Sequence, residues 1–168
     1  MIHLYCGDGK GKTTAAAGLA ARAAGSGMKV LFCQFFKDGS SSELESLRRL
    51  GIETRNPSAV FGLYKYMTEE QRKETRDAHN ELLYGVIADA GKYDLIVLDE
   101  AVSTYRYQML DREKLISLLK TEGQSREIVL TGRKPTDELV EAADYVTEMK
   151  KIKHPFDGGL TARKGIEY

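Results

Sequence analysis

Apolar residues along the chain fall into two spacings. Short unbroken runs, "IHLYC", "KVLFCQF", "DLIVLDE" and "EIVLTG", have the pattern of strands buried on both faces. Between them lie stretches with helical spacing or composition. "KTTAAAGLAARAAG" is Ala-rich and stops at Gly25, which predicts a helix directly after the first strand. Serines ahead of "SELESLRRL" offer caps for a second helix. Thr68 and Gln71 form a capping box, and behind it Ala78, Leu82, Leu83, Val86, Ile87 and Ala90 share one helical face. "REKLISLLK" and "TDELVEAA" read as later helices, and "DYVTEM" as a last strand. From Arg55 to Met67, with Pro57 and Gly62, the chain reads as an irregular loop. The tail from Lys150 to Tyr168 shows no clear period. Strands alternating with helices predict an α/β fold with a mostly parallel sheet and helices on both faces. No linker or repeat divides residues 1–168, so a single domain is expected.

Composition narrows the function classes. Lys+Arg and Asp+Glu both number 25, so the formal charge is zero. Binding of nucleic acid through bulk charge is therefore not expected. No apolar run approaches the roughly 20 residues that span a bilayer, and no membrane partner is expected. The chain opens on strand-like "MIHLYC" without the look of a signal peptide. Cys6 and Cys33 lack metal-ligand spacing and read as reduced, buried thiols. These features together predict a cytoplasmic protein.

Candidate chemistry begins at "YCGDGKGKTT". A phosphate-binding loop reads G-x-x-x-x-G-K-[ST], and here Cys6 stands where the opening glycine belongs. Gly7, Gly9 and Gly11 still let the backbone curl, so the first glycine is displaced by one place. The loop follows a strand and opens a helix, where backbone N–H groups and the helix dipole favour anions. Residues Gly7, Asp8, Gly9, Lys10, Gly11, Lys12, Thr13 and Thr14 are the candidate nucleotide site. Lys12 and Lys10 supply cations for a triphosphate, and Thr13 can ligate Mg2+. Asp8, a carboxylate beside phosphate, should point away, toward ribose hydroxyls. A Gly-rich turn that merely caps a helix is the plainer alternative. "LIVLDE" ends a buried strand in Asp99 and Glu100, the pattern that holds or orients magnesium in phosphate-loop proteins. Among the histidines, His3 in a strand and His79 in a helix read as structural, and His154 has no role that residue chemistry assigns. The motifs reach as far as binding ATP with magnesium. A RecA-like or kinase-like ATPase, with Glu100 as base, stays open, as does a non-catalytic nucleotide-dependent module.

The strings "GDGKGKTTAA", "QFFK", "VLDE", "TGRKP" and "KIKHPFDGGLTARKGIEY" occur in the order found in corrinoid adenosyltransferases of the phosphate-loop type, and the chain resembles that family nearly end to end. The resemblance implies transfer of the 5′-deoxyadenosyl group of ATP to the cobalt(I) of a reduced corrinoid, with release of triphosphate. It implies a nucleotide reversed relative to kinases, a nucleotide contact at Arg133, and Mg2+ held by Thr13 and Glu100 with Asp99 nearby. It places the corrinoid at "NPSAVFGLYKYMTEEQ", where family members carry a phenylalanine and a tryptophan. Phe61 matches the first if one gap is allowed, and Tyr64 falls near the second in a chain without Trp. The plainer reading of both is docking of the loop to the core. A homodimer and a flavoprotein electron donor are further implications. Some members use an N-terminal extension to cover the site; this chain starts without one, so a lid is expected from elsewhere.

Overall fold

A computed structural model of the protein describes residues 1–167. Six parallel strands form one sheet: β1 (Ile2–Cys6), β2 (Val30–Gln34), β3 (Glu53–Arg55), β4 (Leu95–Asp99), β5 (Glu127–Thr131) and β6 (Tyr145–Glu148), in the order β3-β2-β4-β5-β1-β6. The helices are α1 (Lys12–Gly25), α2 (Ser42–Arg49), α3 (Glu69–Asp89), α4 (Ala101–Arg106), α5 (Arg112–Glu122) and α6 (Asp137–Ala142). The expected α/β architecture is present.

Side chains alternate across the sheet and separate its two cores. Leu95 and Val97 of β4 join Ala16, Ala20 and Ala23 of α1 and Leu44 and Leu47 of α2. Ile96 and Leu98, on the other face, join Leu82, Leu83 and Val86 of α3 and Leu115, Leu118 and Leu119 of α5. The alanines of α1 let that helix lie close on the strands. Thr68 accepts a hydrogen bond from the Gln71 N–H while the Gln71 side chain accepts one from the Thr68 N–H, so the expected capping box starts α3.

Three elements differ from the sequence reading. β3 is a short edge strand inside a stretch without strand alternation, held by pairing to β2 (Phe32 opposite Thr54). α4 follows Glu100 directly, too short for periodicity to reveal. β6 is exposed at all four positions, because it is an edge strand with no layer over it, so the buried-strand pattern does not extend to it. The tail contains one 3-10 turn, Pro155–Gly158, and the Arg55–Met67 loop another, Tyr64–Tyr66. Among the described residues no helix is long and apolar enough to cross a membrane.

Candidate functional site

All strands run parallel, so their carboxyl ends share one edge, where ligands of open α/β sheets bind. There β1 passes into the loop 7–11, and Gly11, with φ 115°, is the N-cap of α1. Gly7 and Gly9 are needed for a reason the motif did not give. A Cβ on either would come within 2.5 or 2.6 Å of the Met149 carbonyl oxygen. Met149 lies just past β6; its N–H donates to the Cys6 carbonyl (2.8 Å) and its carbonyl accepts from Gly9 N–H (2.7 Å). The two glycines thus admit the neighbouring chain, and the Gly9 N–H is spent on it rather than facing the cavity.

A cavity of about 250 Å³ opens over this loop, lined by Asp8 through Thr14 together with Lys37, Glu100, Arg133, His154, Ile166 and Glu167. The structure therefore gathers residues 8–14, Glu100 and Arg133 at one place, while Gly7 packs against Met149 outside the lining. Lys12 is buried and donates to the Gly9 carbonyl (2.7 Å), closing the loop on itself. Burial, then the Arg133 charge, lowers its pKa. Asp8, expected to point away from the phosphates, instead lines the cavity wall; its Oδ1 accepts from the Lys151 N–H of the tail (3.0 Å), which holds its pKa low. Lys10 faces the Glu167 carboxylate at 3.5 Å.

Asp99 is the hub of the edge. It is fully buried. Its Oδ1 accepts from the hydroxyls of Thr13 (2.8 Å) and Thr131 (2.6 Å). Its Oδ2 accepts from Lys37 Nζ (2.8 Å) and Gln34 Nε2 (3.3 Å). Thr131 also accepts from the Glu100 N–H (2.9 Å), pinning the turn in which Glu100 takes a left-handed φ of 61°. One carboxylate thereby ties together the ends of β2, β4 and β5 and the start of α1. Gln34, Lys37 and Thr131 were not singled out as site residues. Their signals are a polar side chain at or just past the carboxyl end of an apolar run and a place within the strings "QFFK" and "TGRKP". Glu100 accepts from Ser103 Oγ (2.7 Å), and burial, then the Asp99 charge, raises its pKa.

A magnesium ion with substrate phosphates needs few protein ligands. No group of three or more His, Cys, Asp or Glu suited to a metal occurs among the described residues. Thr13 and Asp99 nevertheless fit the ion: the Thr13 hydroxyl gives its proton to Asp99 and keeps its lone pairs free for a metal.

Phe61 and Tyr64 lie outside the loop cavity. Phe61 is 37% exposed. Tyr64 stacks on Tyr107 (centroids 4.5 Å apart, planes 14°) and carries the Arg72 guanidinium over its ring at 4.6 Å. α4 joins the two regions, because its N-cap is Glu100 and its C-cap is Tyr107. His3 pairs with Glu127 (2.7 Å) and stacks on Tyr145. His79 is buried with both ring nitrogens engaged, so both histidines match their structural reading. His154 caps the tail's 3-10 turn, its Nδ1 accepting from Phe156 N–H (3.2 Å), and also walls the cavity. Cys6 and Cys33 are buried free thiols, and burial pushes Cys33 up to about 12.

Against this geometry, a family profile described as "ATP:corrinoid adenosyltransferase BtuR/CobO/CobP" matches residues 1–168. A corrinoid adenosyltransferase of Pseudomonas aeruginosa is 34% identical over 170 residues, covering 100% of this chain and 83% of that one. A corrinoid adenosyltransferase of Salmonella typhimurium is 34% identical over 171 residues, covering 100% and 85%. Among solved structures, a KaiC-like protein from Pyrococcus horikoshii aligns with a TM-score of 0.55 at 18% identity, over 90% of this chain and 73% of that chain. At that identity the likeness is one of fold.

Proposed function

The chain belongs to the ATP:corrinoid adenosyltransferase family, and on that premise we propose how its residues carry out the transfer. The reaction moves the 5′-deoxyadenosyl group of ATP to the cobalt(I) of a corrinoid and releases triphosphate. The cobalt electron pair forms a bond to the ribose 5′ carbon. The C5′–O bond breaks, and its electron pair leaves with the triphosphate. Cobalt is formally oxidised by two electrons in the process. No proton is moved, so no general base is required. What the protein must supply is alignment of two bulky reactants and stabilisation of charge gathering on the leaving group.

The observation that supports this reading is the cradle itself. A curled loop at a helix N-terminus has Lys12 buried within it, with Lys10 and Arg133 on the same cavity and Thr13 tied to Asp99. We assign residues 7–14 and Arg133 to the nucleotide, and Lys10 and Lys12 to the departing triphosphate. Mg2+, when bound, would neutralise phosphate charge. Thr13 would ligate it and Asp99 would orient that hydroxyl. Glu100, on the same cavity, would complete the polar wall. The nucleotide would lie reversed relative to kinases, presenting its 5′ carbon rather than its terminal phosphate. Phe61, an exposed aromatic of its loop, would pack against the corrin ring, and Tyr64 would join it only by leaving Tyr107 or Arg72. A homodimer, a flavoprotein electron donor and a cytoplasmic setting complete the proposal.

Incubation with Mg-ATP and a chemically reduced corrinoid tests it. Triphosphate and a light-sensitive cobalt–carbon bond are the expected products, and Lys12→Ala should abolish both. Formation of ADP instead would favour the ATPase reading with Glu100 as base.

A further inference from the structure

Lys37 holds a position that the proposed transfer does not yet use. Past β2 the chain reverses at Phe36, which takes a left-handed φ of 53°. The turn is fixed from α3, because the Phe36 N–H donates to Nε2 of buried His79 (3.2 Å) and the two rings meet edge to face at 4.8 Å. Lys37 is thereby delivered to the carboxyl edge. Its Nζ lies 2.8 Å from Asp99 Oδ2 and 3.5 Å from Glu43 Oε1. It lines both the loop cavity and an adjoining cleft of about 390 Å³, whose walls include Thr13, Thr14, Ser42 and Glu43. It therefore stands where the two spaces meet, beside the start of α1.

Two features make this ammonium more than a neutraliser of Asp99. The carboxylate has three other donors, from Thr13, Thr131 and Gln34, and stays hydrogen-bonded without Lys37. Lys37 is also partly exposed, with one short and one long contact for three N–H groups on a flexible stem. A chain of phosphates entering the shared space offers more negative charge than one carboxylate that is already saturated. We propose that Lys37 is a triphosphate-binding residue that turns from Asp99 onto the phosphate chain when nucleotide enters. The inference rests on the assignment of the loop as the triphosphate cradle.

Calorimetric titration with inorganic tripolyphosphate in metal-free buffer isolates the contact from any role of Asp99 toward magnesium. Lys37→Gln is expected to bind about ten- to a hundredfold more weakly than the wild type, the worth of one charge-assisted hydrogen bond. Lys37→Arg should recover part of the loss. The double variant Lys37→Gln/Asp99→Asn removes both charges and should stay weak. Recovery of full affinity in the double variant would mean that Lys37 acts only by masking Asp99, and would overturn the inference. Unchanged affinity in Lys37→Gln would do the same, as would wild-type binding that appears only with magnesium. Failure of the wild type to bind tripolyphosphate under either condition would instead remove the cradle assignment itself. Unaltered thermal unfolding of the variants, or a shift too small to unfold them at the titration temperature, shows that folded protein is being compared.

Discussion

At the scale of single residues, His79 shows how burial becomes a pH dependence. Its Nδ1 donates to the Met109 carbonyl (2.9 Å) and its Nε2 accepts from Phe36, which requires the neutral ring. Burial lowers its pKa from 6.5 to about 4, against a smaller opposing effect of the Met109 hydrogen bond. Between those values the unfolded chain binds a proton that the folded chain refuses. Its contribution to stability is therefore complete above about pH 6.5 and is lost as pH falls toward about 4, on the order of 3 kcal/mol at most. Urea unfolding at pH 7, 5.5 and 4.5 should show this as a one-proton slope, and His79→Gln should remove it. Because His79 also fixes the turn before Lys37, the same substitution should weaken nucleotide binding at pH 7. The residue read from sequence as structural is structural, but what it supports is the edge where the site lies.

At the scale of elements, the strength of each sequence signal tracks what holds the element together. α1 and α3 carry their own signals, composition in one and a capping box in the other. Thr68→Ala should cost about 1 kcal/mol and lower the melting temperature by about 2–4 °C for a chain of this size, read by circular dichroism. β3 and α4 carry no such signal. β3 exists because β2 offers an edge to pair with. α4 exists because Glu100, pinned by Thr131, turns the chain into a helix whose buried residues Ala101, Val102, Thr104 and Tyr105 are held by the surrounding layers. Both are tertiary products. α4 runs from the cavity at Glu100 to the aromatic stack at Tyr107.

At the scale of the whole molecule, a chain with no net charge gathers four cations and three carboxylates around one cavity. Lys10 and Lys12 of the loop, Lys37 and Arg133 come from three segments, facing Asp8 and Glu100 in the same wall. The tail adds a third carboxylate. Glu167 faces Lys10, and Arg163 hydrogen-bonds both of its carboxylate oxygens (3.0 and 2.8 Å), holding its pKa down at about 2. In the proposed phosphate site this carboxylate would compete with phosphate for Lys10. Glu167→Gln should therefore bind ATP a few-fold more tightly, the scale of an exposed ion pair. A loss of affinity in an equilibrium titration would mean that the carboxylate contacts the nucleotide instead. The tail's Ile166 and His154 also wall the cavity.

The amino-acid sequence alone determined the strand–helix alternation, the loop between β1 and α1, the two acids after β4 and the family. Each of these is written in neighbouring residues, through apolar runs, glycine spacing and caps, and needs no partner to be read. Tertiary structure decided that Asp99, rather than Glu100, meets the Thr13 hydroxyl, that Gly9 answers to Met149, and that Gln34, Lys37 and Thr131 join the site. It also decided that Tyr64 rests between loop and helix rather than facing the cavity. These are contacts between segments far apart in the chain. They arise only when parallel strands bring their carboxyl ends to one edge, and no local pattern encodes which side chains will meet there.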